Sequence, residues 1–283
     1  MDDKVDTQRL RRTLQAVVGE RTPFSGQRHL AEVESFIEAE LQSYGINIES
    51  DWFPYHGKTF RNIIGQIGNP LPDSLVILGA HLDSVGGAPG ADDNGSGVAV
   101  LLESARILAQ EPLRSKLLIC AFNLEELNMI GSTHLARRLK AAGTTIEAMI
   151  SLEMVGYVDS RRGSQQYPVG LRWFYPDRGD FIGVIGNLKS TSLLRRVARQ
   201  MRQVPGLSVE TLAVPGKGEF IPAVRLSDHA PFWDLGYPAL MVTDTAFFRN
   251  PHYHSPSDTL DTLNIDFMAK VCQGVIRAVR CLI

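Results

Sequence analysis

The stretch LVILGAHLDSVGGAPGADDNGSG, residues 75–97, decides how this chain is read. Its first six residues are apolar on both faces, the pattern of a central strand covered on both sides. The loop behind them is half glycine and small residues, yet it carries His81, Asp83, Asp92 and Asp93. A turn does not need that much negative charge. In open α/β sheets ligands collect at the carboxyl ends of the strands, so a polar cluster straight after a buried strand points to a site.

Outward from this stretch, apolar spacings such as Leu30, Val33, Ile37 and Leu41 predict helices over 7–18 and 27–44, the second ended by Gly45. Short β-rich runs follow at 46–53 and 62–67, then the strand over 75–80. The alternation continues with a helix over 98–108, a strand over 117–122, a helix over 132–142 and a strand over 148–152. A helix over 191–201, a strand over 239–243 and a helix over 265–282 close the pattern. Strands alternating with helices of about ten residues argue an α/β fold: a mostly parallel mixed sheet with helices on both faces. One domain over 1–283 is expected, with the helices of 1–45 packed on it. The one long irregular region, 156–180, is rich in Gly, Arg and aromatics and reads as a loop on the substrate side.

At 283 residues, 44% hydrophobic and 21% charged with a net charge of -2, the chain has an ordinary globular composition. Nothing in that balance pulls it toward nucleic acid or an anionic membrane surface. No stretch reaches the ~18 apolar residues of a membrane span. With Met1 as the native start, the charged opening MDDKVDTQRLRR has no apolar segment behind it, and the expected compartment is cytoplasmic. Cys272 and Cys281 lie nine residues apart on a helix, about 900° around it and so on opposite faces. Together with Cys120 they are expected as free thiols. The pattern sets no oligomeric state.

Four strand ends each deliver metal-type ligands. His81 and Asp83 follow 75–80, Glu125 and Glu126 follow 117–122, Glu153 follows 148–152, and His252 and His254 come soon after 239–243. Singly each has a bland reading: an Asp in a glycine-rich loop forms turns, and adjacent acids suit a helix start. Those readings do not predict that all four arrive at one edge of one sheet. Two zinc ions ~3.5–4 Å apart ask for such a set, with one shared carboxylate and His and carboxylate end ligands. Asp83, two residues beyond His81 on extended chain, projects to the same side and can fix the ring tautomer. Adjacent glutamates point different ways, which lets Glu126 bind metal while Glu125 serves as a general base.

Six blocks carry a resemblance: HLD (81–83), PGADDNGSG (89–97), NLEEL (123–127) with Gly131-Ser132 behind it, SLEMVGY (151–157), SDHAPFW (227–233) and HYHSPSDT (252–259). In their order and spacing the chain resembles the zinc aminopeptidases of the M28 metallopeptidase family, the group related to the bacterial leucyl aminopeptidases. The resemblance implies a three-layer sandwich of the zinc-peptidase/phosphorylase type, two Zn2+ ions and a peptide or aminoacyl substrate that loses its N-terminal residue. It implies that His81 and Glu153 complete one zinc site, Glu126 and His254 the other, and that Asp93 bridges. Glu125 would be the general base for a zinc-activated hydroxide, and Asp83 would orient His81. In the family the peptide bond after the bridging aspartate is usually cis. Many relatives carry Asp where this chain has Glu153, and the extra methylene moves the carboxylate by about a bond length.

His252 shares a face with His254 in extended chain and competes for the metal; the position ahead of Ser-Pro-Ser-Asp-Thr favours His254. His229 reads as a structural residue on a helix capped by Ser227. His29, His56 and His134 read as plain surface residues. Asp258 is expected to hydrogen-bond the loop that carries His254. Asn94-Gly95-Ser96 fits a glycosylation pattern, but a sugar there would block the loop. Tyr157, Gln165, Tyr167, Trp173, Phe174 and Tyr175 are candidates to line an apolar pocket. Two other functions stay open: a single-zinc cyclisation of N-terminal glutamine on the same fold, and a metal-free M28-like binding domain.

Overall fold

The computed structural model describes residues 5–68 and 75–283; the acidic opening, residues 1–4, lies outside them. Helices α1 (Thr7–Val17) and α2 (Gln27–Ser43) lead into strands β1 (Asn47–Tyr55), β2 (Lys58–Ile67) and β3 (Leu75–His81). Helix α3 (Gly97–Leu108), β4 (Lys116–Phe122), α4 (Ile130–Ala141), β5 (Ile146–Glu153) and β6 (Phe181–Asn187) follow. The chain ends through α5 (Thr191–Met201), β7 (Ser208–Val214), α6 (His229–Asp234), β8 (Ala239–Thr243) and α7 (Ile265–Leu282).

The eight strands form one sheet in the order β1-β2-β4-β3-β5-β8-β6-β7. Strands β4, β3, β5 and β8 run parallel to their neighbours in that run. The pairs β1–β2, β2–β4 and β6–β8 are antiparallel, so the sheet is mixed, as expected. Strand β3 is buried throughout because its alternate side chains enter two cores. Val76, Leu78 and Ala80 join the larger one, with α1, α2, α3, α5 and α7; Leu75 and Ile77 join the smaller, with α4 and α6. Gly79 is a steric requirement there, since a Cβ would stand 2.4 Å from the Phe122 ring. The parallel direction of the four central strands sends their carboxyl ends to one edge of the sheet.

Strands β6 and β7 are absent from the sequence reading. Gly183 and Gly186 break the β-branched run of β6, and only Val209 and Val214 of β7 are buried, so neither gave a strong period-two signal. Cys120 and Cys272 are buried, Cys281 is exposed, and all three are free. No helix among the described residues is long and apolar enough to cross a membrane. His134 is not a plain surface residue: its Nε2 stands 3.4 Å from Asp51 and its ring packs at 5.5 Å on Phe53. His29 likewise faces Glu32 at 3.5 Å, while His56 lies edge-on to Tyr55.

One buried cation ties the segment between α1 and α2 to the loop after β3. Arg21 is fully buried and donates to the carbonyls of Leu82, Val17, Gly19, Pro89 and Gly90 at 2.7–2.9 Å. Its backbone N–H donates to Ser84 Oγ at 2.9 Å. Burial pulls the guanidinium down to about 10, against the charges of Asp83, Asp93, Asp258 and Glu126. Removing the donors strands the Leu82 and Gly19 carbonyls, while those of Val17, Pro89 and Gly90 keep His29 Nε2 and the Gly19 and Gly95 N–H groups. A stranded buried polar group costs about 1–3 kcal/mol, and a buried cation network broken from one side costs more. Arg21→Met is therefore expected to lower the unfolding free energy by about 3–5 kcal/mol in a denaturant titration; a loss below about 1 kcal/mol would show that the clamp is not what holds the loop.

Candidate metal centre

The site lies where β3, β4 and β5 end. At the tip of β3, His81 is 1% exposed, and its Nδ1 lies 3.2 Å from the backbone carbonyl oxygen of Asp83 and 3.5 Å from its carboxylate. That anchors one ring nitrogen and leaves Nε2 facing inward. Nε2 stands 3.2 Å from Asp93, 3.5 Å from Glu153 and 3.9 Å from Glu125.

Asp83 does more than steady His81. Its two carboxylate oxygens accept the backbone N–H groups of Glu125 and Glu126 at 3.1 and 3.2 Å. The chain can turn this way because Leu124 adopts φ 57°. Asn62 holds the same turn from β2, its Oδ1 accepting the Asn123 N–H at 3.1 Å and its Nδ2 donating to the Gly131 carbonyl at 2.9 Å.

Residues Ala91–Ser96 form an irregular helical turn interrupted at Asp93 and Asn94, and the Asp93–Asn94 peptide bond is cis. Asp258 receives the N–H groups of Asp92 and Asp93 at 2.9 and 3.1 Å. Asp258 does bond the loop of His254, its backbone N–H donating to the Ser255 carbonyl at 3.0 Å, but its carboxylate fixes the loop of Asp93. Asn94 is fully buried; its Nδ2 donates to the Leu152 carbonyl at 2.7 Å and its Oδ1 accepts the Met154 N–H at 3.2 Å. These bonds lock the Asp93 turn to the end of β5, where Glu153 sits, and leave Asn94 no room to carry a sugar.

Asp93 faces an imidazole with each oxygen, His81 Nε2 at 3.2 Å and His254 Nε2 at 3.1 Å. His254, at φ 53° and stacked on Tyr253 at 3.8 Å, stands 3.3 Å from Glu126. Two groups of donor atoms result, His81, Asp93 and Glu153 in one and Asp93, Glu126 and His254 in the other, each lying within 4.8 Å and able to hold a metal ion. Three of these buried atoms, His81 Nε2, Glu126 Oε1 and Glu153 Oε2, have no hydrogen-bond donor or acceptor. His252 belongs to neither group; its Nδ1 pairs with Ser257 Oγ at 2.8 Å.

Electrostatics match a site built for cations. Burial, aided by Glu153, Asp228 and Glu126 and opposed by His81, pushes Glu125 well above the usual carboxylate range. Burial and the charge of Asp93 raise Glu126 to about 7, and burial raises Glu153. Burial alone would lower both imidazoles, but the surrounding carboxylates win. They raise His81 well above its ordinary value and His254 to about 10. Asp93 moves the other way, since its bonds to His254 and His81 outweigh burial and lower it. Such an excess of buried acids is costly unless positive charge accompanies it.

The remaining polar residues sort by contact. His229 is buried, pairs with the Val224 carbonyl oxygen at 2.8 Å and lies edge-on to Trp233; burial lowers it to about 3, so it is a neutral core residue. Ser227 does not cap α6. Its hydroxyl meets that of Ser151 at 2.9 Å, and no side chain caps that helix. In the 156–180 loop, Gln165, Tyr167 and Tyr175 line a cavity beside Glu153, whereas Trp173 and Phe174 are exposed and Tyr157 packs on His252. Sequence reasoning missed Arg21, the reach of Asp83 to the Glu125–Glu126 backbone, and Asp228, which lies buried beside the site and is raised to about 7 mainly by burial.

Comparison with known proteins fits this geometry. Among curated proteins, the uncharacterized protein YfbL of Escherichia coli K12 is 41% identical over 252 residues, 85% of this chain and 77% of that one. A probable leucine aminopeptidase of Arthroderma otae is 31% identical over 226 residues, 72% of this chain and 53% of its own length; the chain thus spans about half of that fungal relative. Among solved structures, the LapA aminopeptidase of Legionella pneumophila superposes with a TM-score of 0.76 at 20% identity, over 98% of this chain and 72% of that one. The glutaminyl cyclase of Porphyromonas gingivalis superposes with a TM-score of 0.72 at 22% identity, over 100% and 99%. At those identities the two structures speak for the fold alone. The model of peptidase family M28 matches residues 62–279, a span that contains every residue of the two donor groups, and the chain belongs to that family.

Proposed function

We propose that this chain is a dinuclear zinc exopeptidase that releases N-terminal amino acids from peptides. The observation that carries the reading is the single carboxylate of Asp93, shared between two complete donor groups. His81 and Glu153 would hold one ion and Glu126 and His254 the other, with Asp93 common to both. The buried atoms His81 Nε2, Glu126 Oε1 and Glu153 Oε2, which make no hydrogen bond, and the imidazole-carboxylate chemistry of the set suit zinc. When bound, the ions polarise the scissile carbonyl and lower the pKa of water toward ~7.

The protein's own groups supply the rest. Glu125 faces the same space as His81 Nε2 and is not needed by either donor group. A carboxylate there takes a proton from the attacking water and returns it to the amine of the departing peptide. Asp83 acts at one remove, holding His81 by its ring and Glu125 and Glu126 by their backbone. A single-zinc glutaminyl cyclase on this fold would need only one of the two groups; both are complete here, which favours hydrolysis. The two activities separate by mass, since a glutamine-leading peptide loses ammonia in one case and its first residue in the other.

Glu125→Ala is expected to bind two equivalents of zinc while its turnover falls by about 10²–10⁴-fold, the usual worth of a general base. Metal analysis beside aminoacyl-anilide hydrolysis reads both, and an active variant would take Glu125 out of its role.

Zinc uptake is also expected to release protons. His254 is raised to about 10 and His81 is displaced in the same direction by its carboxylate neighbours, which favours imidazolium, whereas zinc binds the neutral nitrogen. Affinity should therefore rise with pH until the pH passes about 10, the value of His254. Calorimetry in buffers of different ionisation enthalpy at pH 7 should give at least about one proton per ion; none released would contradict these ligands.

A further inference from the structure

Glu153, Thr243, Gly183 and Glu210 are paired in register across β5, β8, β6 and β7. Paired residues project from the same face of a sheet, so these four form one row running from the metal centre toward the sheet edge. Three strand spacings of about 4.8 Å separate Glu153 from Glu210, about 14 Å between backbones. A cavity of about 100 Å³ lies over this row, bordered by Glu153 and Tyr253 at the metal end and by Glu210, Tyr167 and Tyr175 at the other. Gly183 carries no side chain, which keeps the floor open between Thr243 and Glu210.

The walls are mostly apolar, with Ile185, Leu212, Val224 and Met241 among them. The exception at the far end is pointed. Glu210 has no hydrogen-bond or ion-pair partner among the described residues. The stacked rings of Tyr167 and Tyr175 lie beside it, 5.6 Å apart. After burial, the negative charge of Glu210 is what raises the Tyr175 hydroxyl. Both tyrosine hydroxyls are already engaged, Tyr167 with the Pro176 carbonyl at 2.6 Å and Tyr175 with the Thr211 carbonyl at 2.9 Å. The tyrosines therefore offer aromatic ring rather than hydroxyl, and a stacked aromatic pair beside a free carboxylate suits a cation.

We propose that this cavity receives the side chain of the substrate's first residue and that Glu210 selects a cationic head on a long apolar stem, so that peptides beginning with lysine or arginine are favoured. The inference rests on the exopeptidase reading above. A lysine ammonium stands five single bonds of about 1.5 Å, about 6 Å in all, from its Cα. Such a chain spans the apolar middle of the row with its α-amino end at the zinc ligands. A leucine would fill the near half only and leave the half-buried Glu210 without a partner.

Lysyl- and norleucyl-p-nitroanilides test this, since norleucine has the lysine stem without the ammonium. With zinc-loaded wild-type protein the lysyl substrate should be preferred in kcat/KM, chiefly through KM. Glu210→Gln should cut the lysyl-to-norleucyl ratio by about tenfold or more. An unchanged ratio, with both substrates hydrolysed, overturns selection by Glu210 and leaves the exopeptidase reading standing. Release from no substrate at full zinc loading overturns that reading, and this inference with it. A readout independent of turnover comes from calorimetry on zinc-loaded Glu125→Ala. Lysyl-alanine should bind about tenfold tighter than norleucyl-alanine, and adding Glu210→Gln should erase the difference; equal binding before that change overturns the inference.

Discussion

One carboxylate has to meet two imidazoles at once, and much of the loop structure serves that demand. Asp93 can face His81 and His254 with opposite oxygens only if its backbone is held still and turned out of regular helix. Asp258 takes its N–H, Asn94 ties the next residue to both sides of Glu153, and Arg21 grips the Gly90 carbonyl just upstream. Helix α3 begins only at Gly97, after the irregular turn. The interruption at Asp93 and Asn94 is thus where helical regularity gives way to the aim of one side chain.

Charge sets the second demand. Asp83, Asp93, Glu125, Glu126 and Glu153 converge in a largely buried space, against two imidazoles and the more distant Arg21. The protein answers locally in different ways. Asp83 is satisfied by backbone N–H groups, Asp93 by imidazoles, and Glu125 is displaced toward its neutral form by burial. Glu126 and Glu153 each keep a buried oxygen that makes no hydrogen bond. Those are the atoms a bound cation would satisfy, and they belong to different donor groups, one to each.

How much of this was legible depended on the range of the cause. Strand β3 was legible because burial on both faces leaves an unbroken apolar run, and the amphipathic helices because their spacing is local. Strands β6 and β7 were not, since the glycines that open space in β6 and the polar residues Glu210 and Thr211 in β7 erase the pattern that would announce a strand. The residues of the donor groups were readable because each ends a strand or lies in the segment after one, and a parallel sheet carries those ends to one edge. What failed were contacts across long separations. The Asp258 carboxylate reaches back 165 residues to the Asp93 N–H, a second contact beyond the one its backbone makes in its own loop. Arg21 finds carbonyls as far as 69 residues away. His134 acquires Asp51 and Phe53 only once α4 lies on β1.

The extra methylene of Glu153 gains a meaning from the sheet. Glu153 ends β5 in register with Thr243, and the same row continues through Gly183 to Glu210. A slip of one residue in the β6–β8 pairing would turn every side chain of β6 to the opposite face. It would replace the open floor at Gly183 with a bulky neighbour, Ile182 or Val184, and carry Glu210 out of line. The position of a zinc-ligand candidate and the shape of the adjoining cavity are therefore not independent features that loops could vary separately. Both follow from the register of the strands that join them, while the 156–180 loop closes the space with tyrosines whose hydroxyls are already bound to backbone.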